Sequence, residues 1–453
     1  MDKLKEMSEK KAIVSLNAFF ENAFFPFLLG GVVLLLYILN LPIVILAVCG
    51  ICATLLCLFA KDTRAGLAIF LFTMISFRYK DNGGAYTSLG AILVYATIGP
   101  AVLGAALYRL IMRRVKGEGK IGLISMGILC GAMLLGGVFT KYYTAINFAN
   151  AVGFAGVLFG SYLFFSQTME KREDNLLYLA RICAVAICMI SLQVGEFYLR
   201  VYEKGTPLDW IWKEKIILGW SISNMVGEMI AMLLPAVFYL IYKEKYGYLY
   251  WLVVVAAVVG VYFTFGRNAL LWCAIVVLVC SITNCFIGAH KRINRAVVLA
   301  AILVFIGLLI LLWQTGDLKK ITAFFTEAGF KDRDRFMVWE GHLELFKEKP
   351  VQGVGFKAYH SIMQGREHNA HNNILQMLTS TGILGLFLYL VHRVQTLYVI
   401  IKNRKTEGLF LGGCVLVGIL MGIVSSIFFH IYFMAFYSVL LLTLEKSLKS
   451  EKE

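Results

Sequence analysis

Apolar runs close to 20 residues long recur along nearly the whole chain, separated by short polar connections. A helix rises about 1.5 Å per residue and a bilayer core is about 30 Å thick, so such runs predict membrane-spanning helices. Taken in order, the spans fall at roughly 22–39, 41–60, 65–78, 88–111, 121–140, 145–166, 175–199, 218–242, 248–265, 268–288, 295–314, 373–401, 407–426 and 429–445. The first three are short, and 248–288 also fits one re-entrant hairpin. The pattern therefore predicts an all-α polytopic membrane protein of about 12–14 transmembrane helices. One polar interval is much longer than the others. It divides the chain into N-terminal membrane helices (1–314), a large loop (315–372) and C-terminal membrane helices with a tail (373–453).

Within the long loop the polar pattern changes character. Leu318, Ile321, Phe324 and Phe325 share one helical face, and Phe336, Trp339, Leu343 and Phe346 share another. Both stripes predict amphipathic helices lying at a membrane surface, aromatic side down. Between them runs Lys331-Asp332-Arg333-Asp334-Arg335. The loop then passes Pro350 and Gly353-Val354-Gly355 to His368-Asn369-Ala370-His371-Asn372-Asn373. It holds His342, His360, His368 and His371, four of the chain's seven histidines.

Charge fixes the orientation of this pattern. The formal net charge is +15, but Lys and Arg are dispersed among the connections and form no single basic face. Nucleic acid is therefore not an expected partner; anionic lipid is. With the N-terminus in the cytoplasm, alternate connections collect the cations: Lys61 and Arg64; Arg113, Arg114, Lys116 and Lys120; Lys171 and Arg172; Lys243 and Lys245; Lys291, Arg292 and Arg295; Lys402, Arg404 and Lys405. The positive-inside rule then places the 315–372 loop, the 200–217 loop and the Gly266-Arg267 turn outside the cytoplasm. The N-terminal apolar segment continues through Ala60 without a small-residue cleavage site, so it is expected to be retained. Hydrophobic residues make up 59% of the chain, against about 45–50% in soluble domains. All ten cysteines lie in apolar segments. Even the Cys49/Cys52 pair reads as core packing rather than a metal or redox site.

Few residues carry chemistry. Arg267 stands between two apolar runs, where a guanidinium needs water or a partner. It is either an interfacial arginine reaching for solvent or an anion site suited to phosphate. Arg333 and Arg335 either form a solvated helix start or hold charge near the membrane surface, one turn before Trp339. His371 precedes membrane re-entry and is followed by Asn372; a histidine there can move a proton near neutral pH. His368 is equally placed by composition. Glu228, one turn after Asn224, is a carboxylate inside an apolar span and so a functional candidate. Glu196 and His430 fall near span ends on the same expected side. No P-loop, zinc motif, DxD-type run or GxSxG is present, so neither a metal nor another cofactor is expected.

Taken together, Arg335-x-x-x-Trp339, Pro350, Gly353-Val354-Gly355, and His371-Asn372 followed after nine residues by Gly382-x-x-Gly385 resemble the O-antigen ligase/polymerase superfamily. Arg267 with Leu271 is similar to that family's Arg-x-x-x-Leu motif. The resemblance covers about a quarter of the chain and is more specific for the superfamily than for ligase or polymerase. It implies a GT-C-like, metal-independent, inverting glycosyltransferase in the bacterial cytoplasmic membrane, active at the extracytoplasmic face. The implied donor is a glycan on undecaprenyl diphosphate and the implied acceptor a glycan or lipid hydroxyl. A flippase and a chain-length regulator are further implied partners. By the same resemblance His371, not His368, is the catalytic residue. Arg267 and Arg335 bind diphosphate, with Asn372, Trp339, Arg333 and Glu228 in support. The alternative is a transporter or flippase of lipid-linked saccharide, which would use the arginines for binding only.

Overall fold

The computed structural model of the chain describes residues 13–78, 83–112, 115, 121–203, 216–316, 333–359 and 369–448. The helices in chain order are α1 (Ile13–Glu21), α2 (Phe25–Ile38), α3 (Pro42–Phe59), α4 (Gly66–Met74), α5 (Leu89–Met112), α6 (Ile121–Leu135) and α7 (Ala145–Thr168). They continue with α8 (Asn175–Glu203), α9 (Ser223–Lys243), α10 (Gly247–Phe263), α11 (Arg267–Phe286) and α12 (Lys291–Thr315). The last are α13 (Arg333–Glu348), α14 (Asn373–Lys402), α15 (Thr406–Met421) and α16 (Ile431–Lys446). Among the described residues no strand forms; an isolated bridge joins Ile217 and Ile222.

Eight of these helices are long and apolar enough to cross a membrane, or nine if the bent α1–α2 pair is one span; α6, α10 and α15 are shorter apolar helices. Counting those shorter helices brings the number of apolar segments to the lower end of the anticipated range. The chain is an all-α, multi-pass membrane protein. Lipid is the natural environment of α12, whose only buried residue is Asn294. In water that surface would leave about 25 residues of apolar helix unpartnered. At the other extreme, α9 is buried along nearly its whole length and forms the axis of the bundle.

Connections sort into two ends. At one, Arg172 pairs with Asp62, Arg64 with Asp174, Arg181 with Glu244 and Lys243 with Glu407. At the other, Tyr37 donates to Leu218 O, Gly137 N to Gln352 O and Asn372 to Ile423 O. This second end carries the candidate site.

Several spans differ from the sequence-based boundaries for a local reason. The 121–140 run ends as a helix at Leu135, because Gly137 takes φ +75 and its N–H bonds Gln352 O instead of continuing the helix. The 373–401 run breaks at Gly382 (φ +67, ψ −168). The 407–426 run stops at Met421, leaving 422–430 as a connection that contains a short 3-10 turn at Ile427–Phe429.

Candidate functional site

The site end is built on a clamp of glycines. Helix α13 stops at Glu348, and residues 350–355 pass into the break of α14. There Val354 N bonds Thr379 O (2.9 Å), Gly355 N bonds Ser380 O (3.0 Å) and Ile383 N bonds Pro350 O (2.9 Å). The approach is backbone to backbone. A Cβ on Gly382 would fall on the Val351 carbonyl, and one on Gly353 on the Ser380–Thr381 peptide. Both glycines also have φ near +70, where an L side chain is disfavoured. The turn after α6 grips the same loop from outside, with Gly137 N on Gln352 O (2.9 Å) and Thr140 Oγ1 on Gly137 O (2.7 Å). The spacing Gly353/Gly382 thus has a physical meaning: it docks α13 onto the first half of α14.

Docking uses an unexpected face of α13. Its buried residues are Val338, His342 and Leu345, packed with Val354, Ala358 and Tyr359. Phe336 and Leu343 of the anticipated aromatic stripe are exposed, while Trp339 is half-buried. The helix therefore has two apolar sides, one for the protein and one outward. His342 is consumed structurally, its Nδ1 lying 3.1 Å from Thr379 Oγ1 and its ring 5.0 Å from that of Tyr359.

The clamp fixes His371. The Trp339 indole N–H donates to Ala370 O at 2.7 Å, and Ala370 N donates to Gln376 Oε1 at 3.2 Å. Gln376 also accepts from Ser426 Oγ and donates to Tyr359 OH. Burial raises the Tyr359 phenol above its ordinary range, so it stays neutral beside the amide. His371 itself is half-buried with φ +48, a left-handed conformation that costs of order 1–3 kcal/mol unless its surroundings impose it. Here they do. On its far side Asn372 caps α14, accepting from Leu375 N at 2.9 Å. Asn372 Nδ2 donates to Ile423 O (3.0 Å), and Asn373 N donates to Gly422 O (2.8 Å).

The start of α11 reaches the same connection from another direction, through Asn268. Arg267 opens α11, half-buried, and makes no hydrogen bond or ion pair among the described residues. Its neighbour Asn268 donates to Glu228 Oε1 at 2.7 Å and to Met421 O at 3.4 Å. Glu228 is buried and also accepts from Ser425 Oγ at 2.9 Å. Gly227 lets α11 come this close, since a Cβ there would meet Thr264 and Ala269. The 421–426 segment is consequently the shared floor of the site. The starts of α11 and α14 both lean on it, and each helix start carries partial positive charge.

The structure thus brings Asn268, Glu228 and Asn372 onto one connection, with Arg267 next to Asn268 and His371 next to Asn372 in the chain, and with Trp339 bonded to Ala370 O. Arg333 and Arg335 occupy the first turn of α13, one to two turns before Trp339; their side chains lie outside the described residues, as do His360, His368 and the stripe at Leu318–Phe325. Glu196 is elsewhere, paired with Arg200 at 2.7 Å. The His430 ring stacks on that of Tyr432, with centroids 5.6 Å apart. Tyr432 and Trp220 line an apolar cavity of about 390 Å³ with Leu46, Thr73 and Met74. Those last three also line a larger apolar cavity of about 550 Å³ against α3, α4 and α5. Sequence reasoning missed Asn268, Gln376, Ser425 and Ser426. Their signal was weak but present: each is a polar residue inside or beside an apolar run.

Residues 252–390 match the sequence model of the O-antigen ligase family. The match runs from α10 into α14 past its break and includes Arg267, the whole of α13, residues 350–355 and 379–383 of the clamp, and His371. The chain matches no curated protein.

Proposed function

We propose, from the match of residues 252–390 to the O-antigen ligase family, that the chain transfers a glycan from undecaprenyl diphosphate to an acceptor hydroxyl. The reaction runs at the outer face of the bacterial cytoplasmic membrane, and the ion-paired end faces the cytoplasm. The observation that carries this reading is His371 held in a left-handed turn at the start of α14, whose neighbour Asn372 rests on the same connection as Asn268, the residue after Arg267.

The diphosphate binds where the positive ends of α11 and α14 meet, with Arg267 donating to it and Arg335 closing from α13. As the sugar–phosphate bond breaks, negative charge grows on the leaving oxygen, and these donors stabilise it without a metal ion. His371 takes the proton of the acceptor hydroxyl, which attacks the anomeric carbon from the opposite side and inverts it. Asn372 fixes the turn that carries His371, Trp339 holds that turn from α13, and Glu228 orients Asn268 beside Arg267. The polyprenyl chain lies in the apolar trough formed by the two cavities that share Leu46, Thr73 and Met74.

The test is purified protein with an undecaprenyl-diphosphate-linked repeat unit as the only saccharide, beside His371→Ala and Arg267→Gln. Longer lipid-linked products identify a polymerase; transfer only after an acceptor is added identifies a ligase. His371→Ala should lower the rate roughly 10²–10⁴-fold, the range for loss of a general base. Arg267→Gln should raise KM as well as lower kcat. Product from His371→Ala at the parent rate would overturn the role given to His371. No product with any acceptor, together with passage of the lipid-linked saccharide across sealed vesicles, would replace transfer by transport.

A further inference from the structure

The apolar trough beside the site continues far inward. Its outer cavity of about 390 Å³ is lined by Trp220, Ile431 and Tyr432, the last two directly following the 422–430 connection. Its inner cavity of about 550 Å³ runs between α3, α4, α5 and α7, from Leu46 and Met74 down to Leu56, Gly66 and Phe165. On α3 the span from Leu46 to Leu56 makes the inner cavity about 15 Å deep. Four polar groups in the walls are committed elsewhere in the protein. Thr73 Oγ1 donates to Ile69 O at 2.6 Å, Ser161 Oγ lies 2.7 Å from Ser438 Oγ, Trp220 Nε1 donates to Gln193 Oε1 at 2.8 Å, and Tyr432 OH pairs with Ser221 Oγ. An occupant therefore meets almost only hydrocarbon. The inner end is stopped by the connection between α3 and α4, whose Ala60, Thr63 and Ala65 are buried. Arg109 donates to Ala60 O and Lys61 O, and Thr63 Oγ1 lies 2.9 Å from Thr168 Oγ1. Little space is left there: a Cβ on Gly66 would lie 3.0 Å from Leu56 and 3.1 Å from Phe165.

We propose that this trough measures the tail of the lipid substrate. The surrounding lipid is as apolar as the trough, so a tail gains there by close packing rather than by leaving water. That gain grows with each segment of tail that enters the inner cavity and ends at the α3–α4 connection. Tails too short to pass Leu46 lose it. The residues that set the limit are Ala53 on α3 and Ala106 on α5, small half-buried side chains lining the inner cavity. The inference rests on the transfer reading above and narrows the donor to lipids with long polyprenyl tails.

The full chain in nanodiscs is given the same diphosphate-linked saccharide on an undecaprenyl or a farnesyl tail. Binding of undecaprenyl diphosphate and farnesyl diphosphate is measured separately by thermal shift. The parent should favour undecaprenyl in both kcat/KM and binding. Ala53→Phe and, from the opposite wall, Ala106→Phe should cut kcat/KM for the undecaprenyl donor about tenfold, the effect of forcing a tail against an added ring. KM should carry that change, and the farnesyl value should move little, which also reports an intact fold. Ala256→Phe, a matched change in the separate groove between α8 and α10, should keep the parent's preference. An undecaprenyl preference that survives both inner-cavity variants, or no preference in the parent, would overturn the inference and leave transfer standing. Loss of the binding preference in both variants, with no transfer from either donor, would support the trough and overturn the transfer reading instead.

Discussion

The two ends of the bundle are held by different physics. At the site end, the clamp of residues 136–140, 350–355 and 379–383 is backbone against backbone, with glycines wherever a Cβ would intrude. At the opposite end the contacts are side-chain ion pairs, such as Arg181–Glu244 at 2.6 Å and Lys243–Glu407 at 3.1 Å. Backbone docking leaves almost no latitude in position, because neither partner has a rotamer to change. Ion pairs between long side chains tolerate movement and are screened by salt. The difference teaches that rigidity is concentrated where His371 adopts a left-handed turn.

Substitution should expose that contrast. The largest effect is expected for Gly382→Ala, which forces φ +67 on an L residue and puts a methyl on the Val351 carbonyl. It should cost roughly 3 kcal/mol and abolish transfer. A thermal melt of the purified variant that moves by less than the error would break the idea of a rigid clamp. Gln376→Ala comes next, stranding the Ala370 N–H that donates to its side chain; about 1–3 kcal/mol is expected from the buried donor, read by denaturation in mixed micelles. Trp339→Phe keeps the ring but removes the donor to Ala370 O. It should cost about 1 kcal/mol of stability and lower kcat roughly tenfold. Comparison of kcat with KM would sharpen the assignment, since a positioning residue should leave donor affinity nearly unchanged. The smallest effect is expected at the ion-paired end. Lys243→Gln should change stability by less than about 1 kcal/mol, and added salt should erase even that difference.

The eight long helices were legible because each is a hydrophobic run of membrane length, and Arg267 stood out because a cation between two apolar runs needs a reason. Gly382 was not legible as a break. A glycine in an apolar run is compatible with an uninterrupted helix, and its conformation is set by a loop about 30 residues earlier. The buried face of α13 was not legible for a related reason. Phe336, Trp339, Leu343 and Phe346 make the more hydrophobic stripe, yet Val338, His342 and Leu345 are buried, because Tyr359 and Thr379 supply partners for a histidine. Glu228 was singled out as an intramembrane carboxylate, but its partners Asn268 and Ser425 come from other helices, and no local pattern links them. His371 owed its choice over His368 to family resemblance rather than to spacing.

The three strands of chain that interlock at Gly382 are far apart in order of synthesis. The turn after α6 leaves the ribosome more than 200 residues before the segment it must grip. Until residues 379–383 follow, the N–H groups of Val354 and Gly355 lack the carbonyls they bond in the finished protein. The candidate site is therefore a late product of biogenesis. A nascent chain halted before α14 would expose unpaired backbone at the membrane boundary, a form that quality-control proteases can distinguish from the finished protein.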